Sequence, residues 1–593
     1  MRDGATVEHV FGIARSVSGR AWTWRGGRAA MPAHGEDDLV RQLFLARGAA
    51  REEIETLRAP TIRDMLPDPS GFIDMDAAAA RIADAVTGGE SIVVFGDYDV
   101  DGATSAAVLI RHLSACGATV RHYIPDRLLE GYGPSAAALT ALKDAGADLI
   151  ICVDCGTQSF AALEAARDAG LDVIVVDHHK ASTVLPPAIA IVNPNRLDEH
   201  EEARRFGHLA AVGMAFLLAV AVQRVLRARG LFAATREPNP MALLDLVALG
   251  TVADVVPLTG LNRAFVAQGL KIMARRGNRG LAALTAAAGL ERAPVASDLG
   301  FALGPRINAG GRVGAADLGV RLLAGREDDA CEDIAATLNR LNQERRAIEA
   351  EVTDAALAAA ERTANMPVAV VAGAGWHPGV IGIAASRLKD RLGRPAIVIG
   401  TDERGVGKGS GRSISGVDLG AGILAAKEHG LISAGGGHAM AAGLTVAADG
   451  VAALADFLCE RLEGAITVAQ QNRGLDLDLA LAPGGVTPDL ADTLEAAGPY
   501  GMGWPAPRVA AGPVAIVDCG IVGHGHVRTV LAGADGRRVK GIAFRSANTP
   551  LGAALLGAKG RRLFVAGRVK RDDWNDRPQA ELHLEDAAWA DAA

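Results

Sequence analysis

The sequence predicts a multidomain α/β protein whose first large domain contains a parallel sheet. Short, fully apolar runs, such as residues 92–95 and 173–176, alternate with helical stretches. This alternation is typical of parallel strands that are covered on both faces. The length of 593 residues exceeds what one hydrophobic core usually holds, so three or four domains are expected. Short alternating strands near the C-terminus, separated by Gly-rich turns, add a small β-barrel to the prediction.

The prediction is organised around residues 91–105. Residues 92–95 have the pattern of a buried strand, and the chain then turns into Asp97, Asp99 and Asp101. Carboxylates at alternate positions point the same way on an extended chain, and three like charges this close repel strongly unless cations lie among them. A solvated acidic turn is the ordinary alternative for a single Asp-x-Asp pair. The third carboxylate favours a metal site.

Two later predicted strands end in the same kind of side chain. Residues 149–153 precede Asp154, and residues 173–176 precede an Asp-His-His triplet. Helix capping is the alternative role for each acid, and it explains one strand end better than three. Because the carboxyl ends of parallel strands meet at one edge of a sheet, the side chains expected to converge there are Asp99, Asp101, Asp154, His178 and His179.

The segments Asp-x-Asp-x-Asp-Gly-Ala-Thr-Ser, Val-Asp-Cys-Gly-Thr and Asp-His-His resemble the DHH phosphoesterase superfamily. Nearly the whole chain after an N-terminal lead resembles the bacterial single-strand-specific 5′-to-3′ DNA exonucleases of that superfamily. Oxygen-rich ligands with one or two imidazoles suit two Mn²⁺ or Mg²⁺ ions. The expected metal ligands are Asp97, Asp99, Asp101, Asp154, His178 and Asp254.

Two of these ligands, and His179 beside them, are assigned on separate grounds. Asp154 is expected to bridge the two ions because its strand is central. Asp254 is assigned from its match to the fourth superfamily motif, since a lone Asp between apolar residues is more often a cap. His179 is expected to orient the phosphate or a metal ligand. The predicted catalytic residues are Asp99, Asp101, Asp154, His178 and His179.

Basic and polar groups in three Gly-rich segments are the predicted substrate ligands. An Arg in such a turn at a strand end can offset phosphate charge, and the family places a 5′-phosphate ligand at Arg127. Residues 301–312 are predicted as a turn-rich segment that presents Arg306 and Arg312 to a phosphate backbone. Residues 406–413 and 435–443 are predicted as Gly-rich turns that present Ser410, Arg412 and His438, and they resemble the DHHA1 substrate-binding domain.

Together, pattern and resemblance divide the chain into five parts. Residues 328–362 contain no Gly or Pro, which predicts one long helix between two globular parts. The C-terminal barrel resembles an oligonucleotide-binding (OB) fold and carries the densest group of basic residues. The expected parts are an N-terminal lead (1–70), a DHH catalytic domain (71–325), a connecting helix (326–362), a DHHA1 domain (363–468) and an OB-fold domain (469–593).

Composition limits the class of protein without deciding it. The formal net charge of −8 gives no global sign of nucleic-acid binding, so a DNA path must be a local basic strip. Residues 1–30 lack the apolar core of a signal peptide, and no apolar run is expected to reach membrane-spanning length, so a cytoplasmic protein is expected. The spacing of Cys152 and Cys155 suits a redox or zinc motif, but no partner pair completes it, and packing is favoured.

The resemblance implies an exonuclease that releases 5′-mononucleotides from single-stranded DNA in repair and recombination. Its expected partners are single-stranded DNA, a single-strand-binding protein and a helicase, without a membrane. One alternative is a DHH-family phosphodiesterase that acts on short RNA oligonucleotides or cyclic dinucleotides. A second is a binding module that keeps the site only as a scaffold, which the presence of every acidic and His ligand disfavours.

Overall fold

The computed structural model describes residues 8–27, 36–127, 129–325, 330–572 and 578–592. These residues divide into two compact units. The larger unit comprises Pro67–Val256 and Gly269–Asn472, and the smaller unit comprises Met1–Leu66, Pro257–Gln268 and Arg473–Ala593.

The larger unit contains the predicted parallel sheet. All its neighbouring strands pair in parallel, so their carboxyl ends lie at one edge. The central strand is buried at every position, as expected for a strand covered on both faces. The strands, in spatial order, are Thr119–Tyr123, Ser91–Gly96, Leu149–Val153, Asp172–Val176 and Ala190–Val192.

Helices follow or flank each strand of this sheet. The helix Ala211–Ala228 is long and apolar enough to cross a membrane, which corrects the expectation that no apolar run reaches that length. Of its residues, 72% are buried inside the structure, which is the position of a core helix. The other helices are Met75–Gly88, Val100–Ala115, Ala136–Asp144, Phe160–Asp168, Glu201–Arg204 and Leu244–Ala253.

The segment predicted as a turn at residues 301–312 is helical instead. A π-helix, Leu299–Leu303, runs directly into the α-helix Gly304–Val313. Its glycines permit close packing rather than turns: a Cβ on Gly311 would lie 2.7 Å from the carbonyl oxygen of Tyr98. The other helices of this region are Arg279–Ala287, Ala296–Asp298 and Leu318–Ala324, and the helix Gly260–Met273 begins in the smaller unit's residues and ends in those of the larger unit.

One helix extends from Cys331 to Ala360, in the place where the long helical pattern predicts it. Residues 326–329, which the prediction includes at its start, lie outside the described residues. A second sheet of the larger unit follows this helix. Its strands, in spatial order, are Ala434–His438, Ala441–Ala447, Val406–Arg412, Ala396–Thr401 and Ala369–Ala374, with helices Pro378–Leu392, Leu419–Glu428 and Val451–Gln471.

The Gly-rich segments at residues 406–413 and 435–443 are largely strands, so their prediction as turns was wrong. Alternate glycines of Val406–Arg412 lie on the packed face of the sheet. A Cβ on Gly409 would lie 2.8 Å from a methyl carbon of Leu444, and one on Gly411 would lie 2.7 Å from a methyl carbon of Leu419. Glycine at these positions gives room to neighbouring side chains.

The smaller unit contains a closed five-stranded barrel, which confirms the predicted C-terminal fold. Around the barrel the strands are Val509–Val522, His526–Ala532, Arg538–Ala543, Gln579–Trp589 and Arg562–Asp572, and the last pairs back with the first. Leu479–Leu481 pairs with the start of the first strand outside the closed ring. The helices of this unit include Glu36–Ala46, Ile54–Arg58, Ile62–Met65, Pro488–Ala496 and Pro550–Leu556.

Part of the N-terminal lead belongs to the same unit as the barrel. The strand Ala21–Trp24 pairs in parallel with Gly474–Leu477. The side chain of Trp22 is fully buried, and its indole N–H donates to Asp586 Oδ2 at 3.1 Å. The described part of the lead therefore contributes to the core of the smaller unit.

Candidate metal centre and phosphate pocket

The first group of carboxylates lies where the strand Ser91–Gly96 turns into the helix Val100–Ala115. A Cβ on Gly102 would lie 2.4 to 2.7 Å from backbone atoms of Asp97, so only glycine allows this tight turn. Asp99 begins the helix, and its Oδ1 accepts a hydrogen bond from Gly102 N at 3.1 Å. The turn holds Asp97 and Asp101 almost fully buried.

Asp101 is fixed from the opposite side by another helix. Its two carboxylate oxygens accept hydrogen bonds from the backbone N–H groups of Ala211, at 2.7 Å, and Val212, at 2.9 Å. These groups belong to the first turn of Ala211–Ala228, where the helix dipole favours a negative charge. Asp101 therefore caps a helix as well as facing the other acids.

Asp154 follows the central strand and is held in an unusual backbone conformation. Its φ is 61°, in the left-handed region that residues other than glycine seldom adopt. Its backbone N–H donates to Val176 O at 3.0 Å on the neighbouring strand, and its side chain is buried. Such strain is found where the surrounding structure fixes a functional side chain.

His178 faces three carboxylates from the next strand end. Its Nε2 lies 3.3 Å from Asp154 Oδ1, 3.7 Å from Asp254 Oδ2 and 4.0 Å from Asp101 Oδ2. Its Nδ1 lies 3.1 Å from the carbonyl oxygen of Leu209. A carbonyl can only accept, so Nδ1 carries the proton and Nε2 is left as a ligand atom directed at the acids.

The structure brings the predicted ligands together in three overlapping groups. Within each group the ligand atoms lie within 4.8 Å of one another. Asp154 and His178 each belong to two of the groups, so the groups form one acidic cluster. The groups are Asp97, Asp99 and Asp154; Asp101, His178 and Asp254; and Asp154, His178 and His179.

The donor set of the acidic cluster fits divalent cations. Asp97 Oδ1 and Asp254 Oδ2 are buried without a hydrogen-bond partner. Among the described residues, no Lys or Arg forms an ion pair with any of the five carboxylates. Buried carboxylates are expensive unless they are paired or bind metal. Carboxylate oxygens with one imidazole are the ligands that Mn²⁺ and Mg²⁺ take.

Without metal, the carboxylates raise one another's pKa. Burial and the charge of Asp99 raise the pKa of Asp97 to about 8 and that of Asp101 to about 7. Burial and Asp101 raise the pKa of Asp254 to about 9, and the same two causes raise the pKa of Asp154 well above its ordinary value. The electrostatics therefore favour added positive charge at this edge of the sheet.

Asp177 is a functional residue that the sequence prediction did not assign. Its Oδ1 accepts hydrogen bonds from the backbone N–H groups of His178, at 2.8 Å, and His179, at 3.2 Å, and lies 2.7 Å from His179 Nδ1. Burial alone would raise the pKa of Asp177, but the hydrogen bond and charge of His179, together with the hydrogen bond from Thr157, outweigh it and leave the pKa lowered. Asp177 fixes the positions of both imidazoles. Its place in the Asp-His-His triplet was the available signal.

Tyr132 was also missed, although it lies in the Gly-rich turn that contains Arg127. Its hydroxyl donates to Asp154 O at 2.9 Å and lies 3.2 Å from His179 Nδ1. Burial lowers the pKa of His179, but its hydrogen bond with Asp177 and that residue's charge outweigh the effect and raise it. His179 therefore holds a proton near the cluster more readily than a free imidazole does.

Two asparagines hold the backbone of the His-His pair. Asn193 Nδ2 donates to His179 O at 2.8 Å, and Asn195 Nδ2 donates to His178 O at 2.6 Å. Both belong to an Asn-Pro-Asn segment, a composition that is typical of turns. Their role is visible only once the fold brings that segment beside the pair.

A cavity of about 420 Å³ in the same unit is lined by arginines from three distant segments. Arg127, Arg312 and Arg412 lie in its lining together with Ser410 and Lys408. Arg412 Nη1 donates to Ser410 Oγ at 3.1 Å, and Arg312 Nη1 donates to Gly379 O at 2.7 Å. We call this cavity the arginine pocket.

The arginine pocket lacks negative charge of its own. In the part of the chain that the structure describes, none of its three arginines forms an ion pair with a carboxylate. Burial and the charge of Arg127 lower the pKa of Arg312 to about 10 and also lower that of Arg412. The helix Pro378–Leu392 begins at the pocket, and helix N-termini favour anions. The electrostatics of the pocket therefore favour an anion such as a phosphate.

Two predicted substrate ligands lie outside this pocket. Arg306 donates to Asn339 Oδ1 at 3.0 Å and to Ala302 O at 2.7 Å and is absent from the pocket lining. Arg306 and Arg312 are six residues apart on a helix, so they lie on different faces. His438 is exposed near the end of the strand Ala434–His438 and does not line the pocket.

Comparison with known proteins defines the class first. The chain matches family models described as "DHH family, N-terminal domain" over residues 91–251, "DHHA1 domain" over 365–464 and "RecJ OB domain" over 477–586. The first model covers every residue of the acidic cluster except Asp254. The second covers Ser410 and Arg412 of the arginine pocket. Fold and site are thus those of a DHH phosphoesterase.

Relatives along most of the chain define the family within that class. A single-stranded-DNA-specific exonuclease RecJ from Dickeya dadantii is 37% identical over 85% of this chain and 89% of its own length. Crystal structures of RecJ from Thermus thermophilus in complex with Mn²⁺ and Mg²⁺ superpose with TM-scores of 0.75 and 0.69, at 30% and 28% identity. Each covers 93% of this chain, and the chain covers 76% and 74% of the respective structures. This chain belongs to the RecJ family.

Proposed function

We propose that this protein is a single-stranded-DNA-specific exonuclease that degrades DNA from the 5′ end and releases 5′-mononucleotides. One observation carries the proposal: a cluster of unpaired carboxylates and a pocket of unpaired arginines lie in one compact unit. Metal ions would neutralise the first, and a terminal phosphate would neutralise the second. Relatives in the family are named single-stranded-DNA-specific exonucleases.

The acidic cluster is the proposed place of hydrolysis. Bound Mn²⁺ or Mg²⁺ supplies an activated water nucleophile and offsets charge on the scissile phosphate. The proposed ligands are Asp97, Asp99, Asp101, Asp154, His178 and Asp254, with Asp154 shared because it belongs to two of the ligand groups.

Neighbouring residues are proposed to keep these ligands in place. Asp177 and the Leu209 carbonyl fix the orientation of His178 and leave its Nε2 directed at the acids. His179, whose pKa is raised through Asp177, is proposed to donate a hydrogen bond to a phosphate oxygen. Tyr132 limits the space beside His179 by its contact with Asp154 O.

The arginine pocket is proposed to bind the 5′-terminal phosphate. Arg127, Arg312 and Arg412 supply charge-assisted donors, and Ser410 supplies a hydroxyl. Binding the end of the strand there would place the first linkage over the acidic cluster, which makes mononucleotides the product. Arg306 and His438 are proposed to contact the strand elsewhere.

The proposed setting is DNA repair and recombination in the cytoplasm. A single-strand-binding protein and a helicase are the proposed partners, since an enzyme of this kind needs single strands to be produced and kept open. The apolar helix Ala211–Ala228 does not argue against this location, because it is largely buried.

A substrate comparison tests the proposal. Purified protein with Mn²⁺ is incubated with 5′-phosphorylated linear single-stranded DNA, the same strand in a blunt duplex, circular single-stranded DNA, and short RNA. Mononucleotides are expected from the linear single strand alone. Cleavage of the circle would contradict an exonuclease, and preferred cleavage of short RNA would favour the oligonucleotide phosphodiesterase that is the alternative function.

A further inference from the structure

Phe301 is an aromatic residue that the proposed mechanism does not use. Its exposed fraction is 87%, the highest of the exposed large hydrophobic residues in the described part of the chain. It lies in the π-helix Leu299–Leu303, a rare form that often occurs at functional sites. Leu299 and Leu303 are fully buried and anchor this turn, so the residue midway between them is directed into solvent.

The π-helix packs against the end of the helix that carries Asp254. A Cβ on Gly300 would lie 3.5 Å from Val252 Cγ1, and one on Gly304 would lie 3.4 Å from Ala253 Cβ. Val255 is also 58% exposed and has a φ of 62°, which is strained for a β-branched residue. An exposed apolar rim therefore adjoins the acidic cluster.

Unpaired positive charge lies beside Phe301. Arg306 is on the following helical turn and donates to Ala302 O and Asn339 Oδ1 rather than to a carboxylate. Arg306 contacts Asn339 on the helix Cys331–Ala360, and Arg346 lies seven residues further along that helix, on the same face. Burial and the positive charge of Arg346 lower the pKa of Arg306. In the described residues no acid forms an ion pair with either group. An aromatic face beside cations that have no acidic partner is the combination that binds single-stranded nucleic acid.

We propose that Phe301 is a stacking platform for one base of the DNA strand on the 3′ side of the cleaved linkage, with Arg306 and Arg346 binding the adjacent phosphates. The inference rests on the proposed function and adds a residue that recognises single strands. Arg312, at the other end of the same helix, lines the arginine pocket and is about 9 Å along the helix axis from Arg306. A strand that starts in the pocket and passes the acidic cluster continues along this helix.

The platform explains a preference for single strands in chemical terms. A base in a duplex is stacked and paired on both sides, so its face is not free to lie on an aromatic ring. Stacking is tolerant of sequence because every base has a π-face. Phe301 would therefore select strandedness without selecting sequence.

Binding without catalysis tests the platform directly. The affinity for a short 5′-phosphorylated single strand is measured by fluorescence anisotropy in EDTA, for wild type and for Phe301→Ala, Phe301→Leu and Phe301→Tyr. We expect Phe301→Ala and Phe301→Leu to weaken binding by about 5- to 100-fold, and Phe301→Tyr to bind like wild type. The matched control is Leu197→Ala, another exposed apolar residue of the same unit, which should bind like wild type.

Strands that each carry one abasic nucleotide locate the stacked base. Wild type is expected to lose affinity when the abasic position coincides with the platform, and Phe301→Ala is expected to be insensitive at that position. Equal losses for both proteins at every position, or wild-type affinity of Phe301→Leu, would overturn the inference.

The failure of the platform and that of the proposed function can be told apart. If wild type releases no mononucleotides, the proposed function fails, while the binding comparison in EDTA still decides the role of Phe301. If wild type is active and Phe301→Ala has an unchanged KM and unchanged affinity, only the platform is refuted. Thermal unfolding of each variant shows whether a loss of binding reflects a loss of folding.

Discussion

The charged groups of the larger unit and those of the barrel differ in what they face. In the larger unit, no Lys or Arg forms an ion pair with the acidic cluster and no carboxylate forms one with the arginine pocket among the described residues. On the barrel, the basic residues are largely paired. The barrel pairs include Lys540 with Asp572, Arg568 with Glu585, and Lys570 with Glu495, at 3.2, 2.9 and 3.6 Å.

The difference indicates that charged residues without an ion-pair partner identify a ligand site better than a high local number of charged residues does. The barrel carries the densest basic group of the sequence, yet much of that charge is already neutralised within the unit. A solvated ion pair contributes little to stability or binding. A buried charge without a partner costs several kcal/mol, and a fold retains it where a ligand supplies the missing charge. Mutations can test this comparison.

The largest effect is expected for Asp154→Asn. The change removes a carboxylate that belongs to two ligand groups, and hydrolysis of single-stranded DNA should fall by about 1,000-fold or more, because several kcal/mol of transition-state stabilisation are lost. Release of mononucleotides in Mn²⁺ measures it. The matched control is Asp168→Asn, an exposed acid on the following helix, which should retain full activity. Normal activity of Asp154→Asn would refute the metal centre.

The next effect concerns the arginine pocket. Arg412→Gln should raise KM for 5′-phosphorylated DNA by about 10- to 100-fold, because a hydrogen bond to a charged group is worth about 1.5 to 3 kcal/mol. KM for the same strand with a 5′-hydroxyl should change little. Arg404→Gln, an exposed arginine that is paired with Asp402, is the control. An equal rise for both kinds of 5′ end would show that the pocket does not recognise the terminal phosphate.

Metal binding should also stabilise the fold. Adding Mn²⁺ to EDTA-treated protein should raise its Tm, because binding to the native state at about 100 times Kd adds about 2.7 kcal/mol to the free energy of unfolding. The rise should be absent or much smaller in Asp154→Asn. It should persist in Asp245→Asn, whose buried carboxyl lies on the helix before Asp254 but outside the acidic cluster. The same rise in both variants would mean that Mn²⁺ binds elsewhere.

The smallest effect is expected on the barrel. Lys570→Gln removes a cation that already faces Glu495, so affinity for single-stranded DNA should fall by less than about five-fold, as for other exposed ion pairs. The dependence of affinity on salt should barely change. A loss as large as that of Arg412→Gln would show that the paired barrel residues bind DNA strongly, and the comparison between the two regions would fail.

The acidic cluster could be predicted because it follows from local rules. Asp97 to Asp101, Asp154 and His178 each follow an apolar strand, and parallel strands place such positions at one edge. The arginine pocket could be predicted only in part. In a loop, Arg306 and Arg312 could both face the substrate, whereas on a helix they lie on different faces. The glycines that suggested a loop allow close packing of the helix instead.

The site residues that the sequence did not predict also depend on tertiary contacts. Tyr132 acts through a hydrogen bond to Asp154 O, a group that the sequence does not place beside it. Asp177 contacts the two histidines that follow it in the sequence, but the sequence does not specify that its side chain is directed back at them. Asn193 and Asn195 hold the His-His backbone from a separate segment. Such contacts depend on side-chain directions that no spacing in the sequence specifies.

By itself the sequence determined the strands of the first sheet, the edge at which the acids gather and the presence of a barrel, because periodicity and strand ends act over a few neighbouring residues. Only the tertiary structure decided which charges remain without partners. Whether a charge has a partner depends on which groups lie within about 4 Å of it. In the arginine pocket, Arg127, Arg312 and Arg412 come from three distant segments, so the sequence does not specify their surroundings.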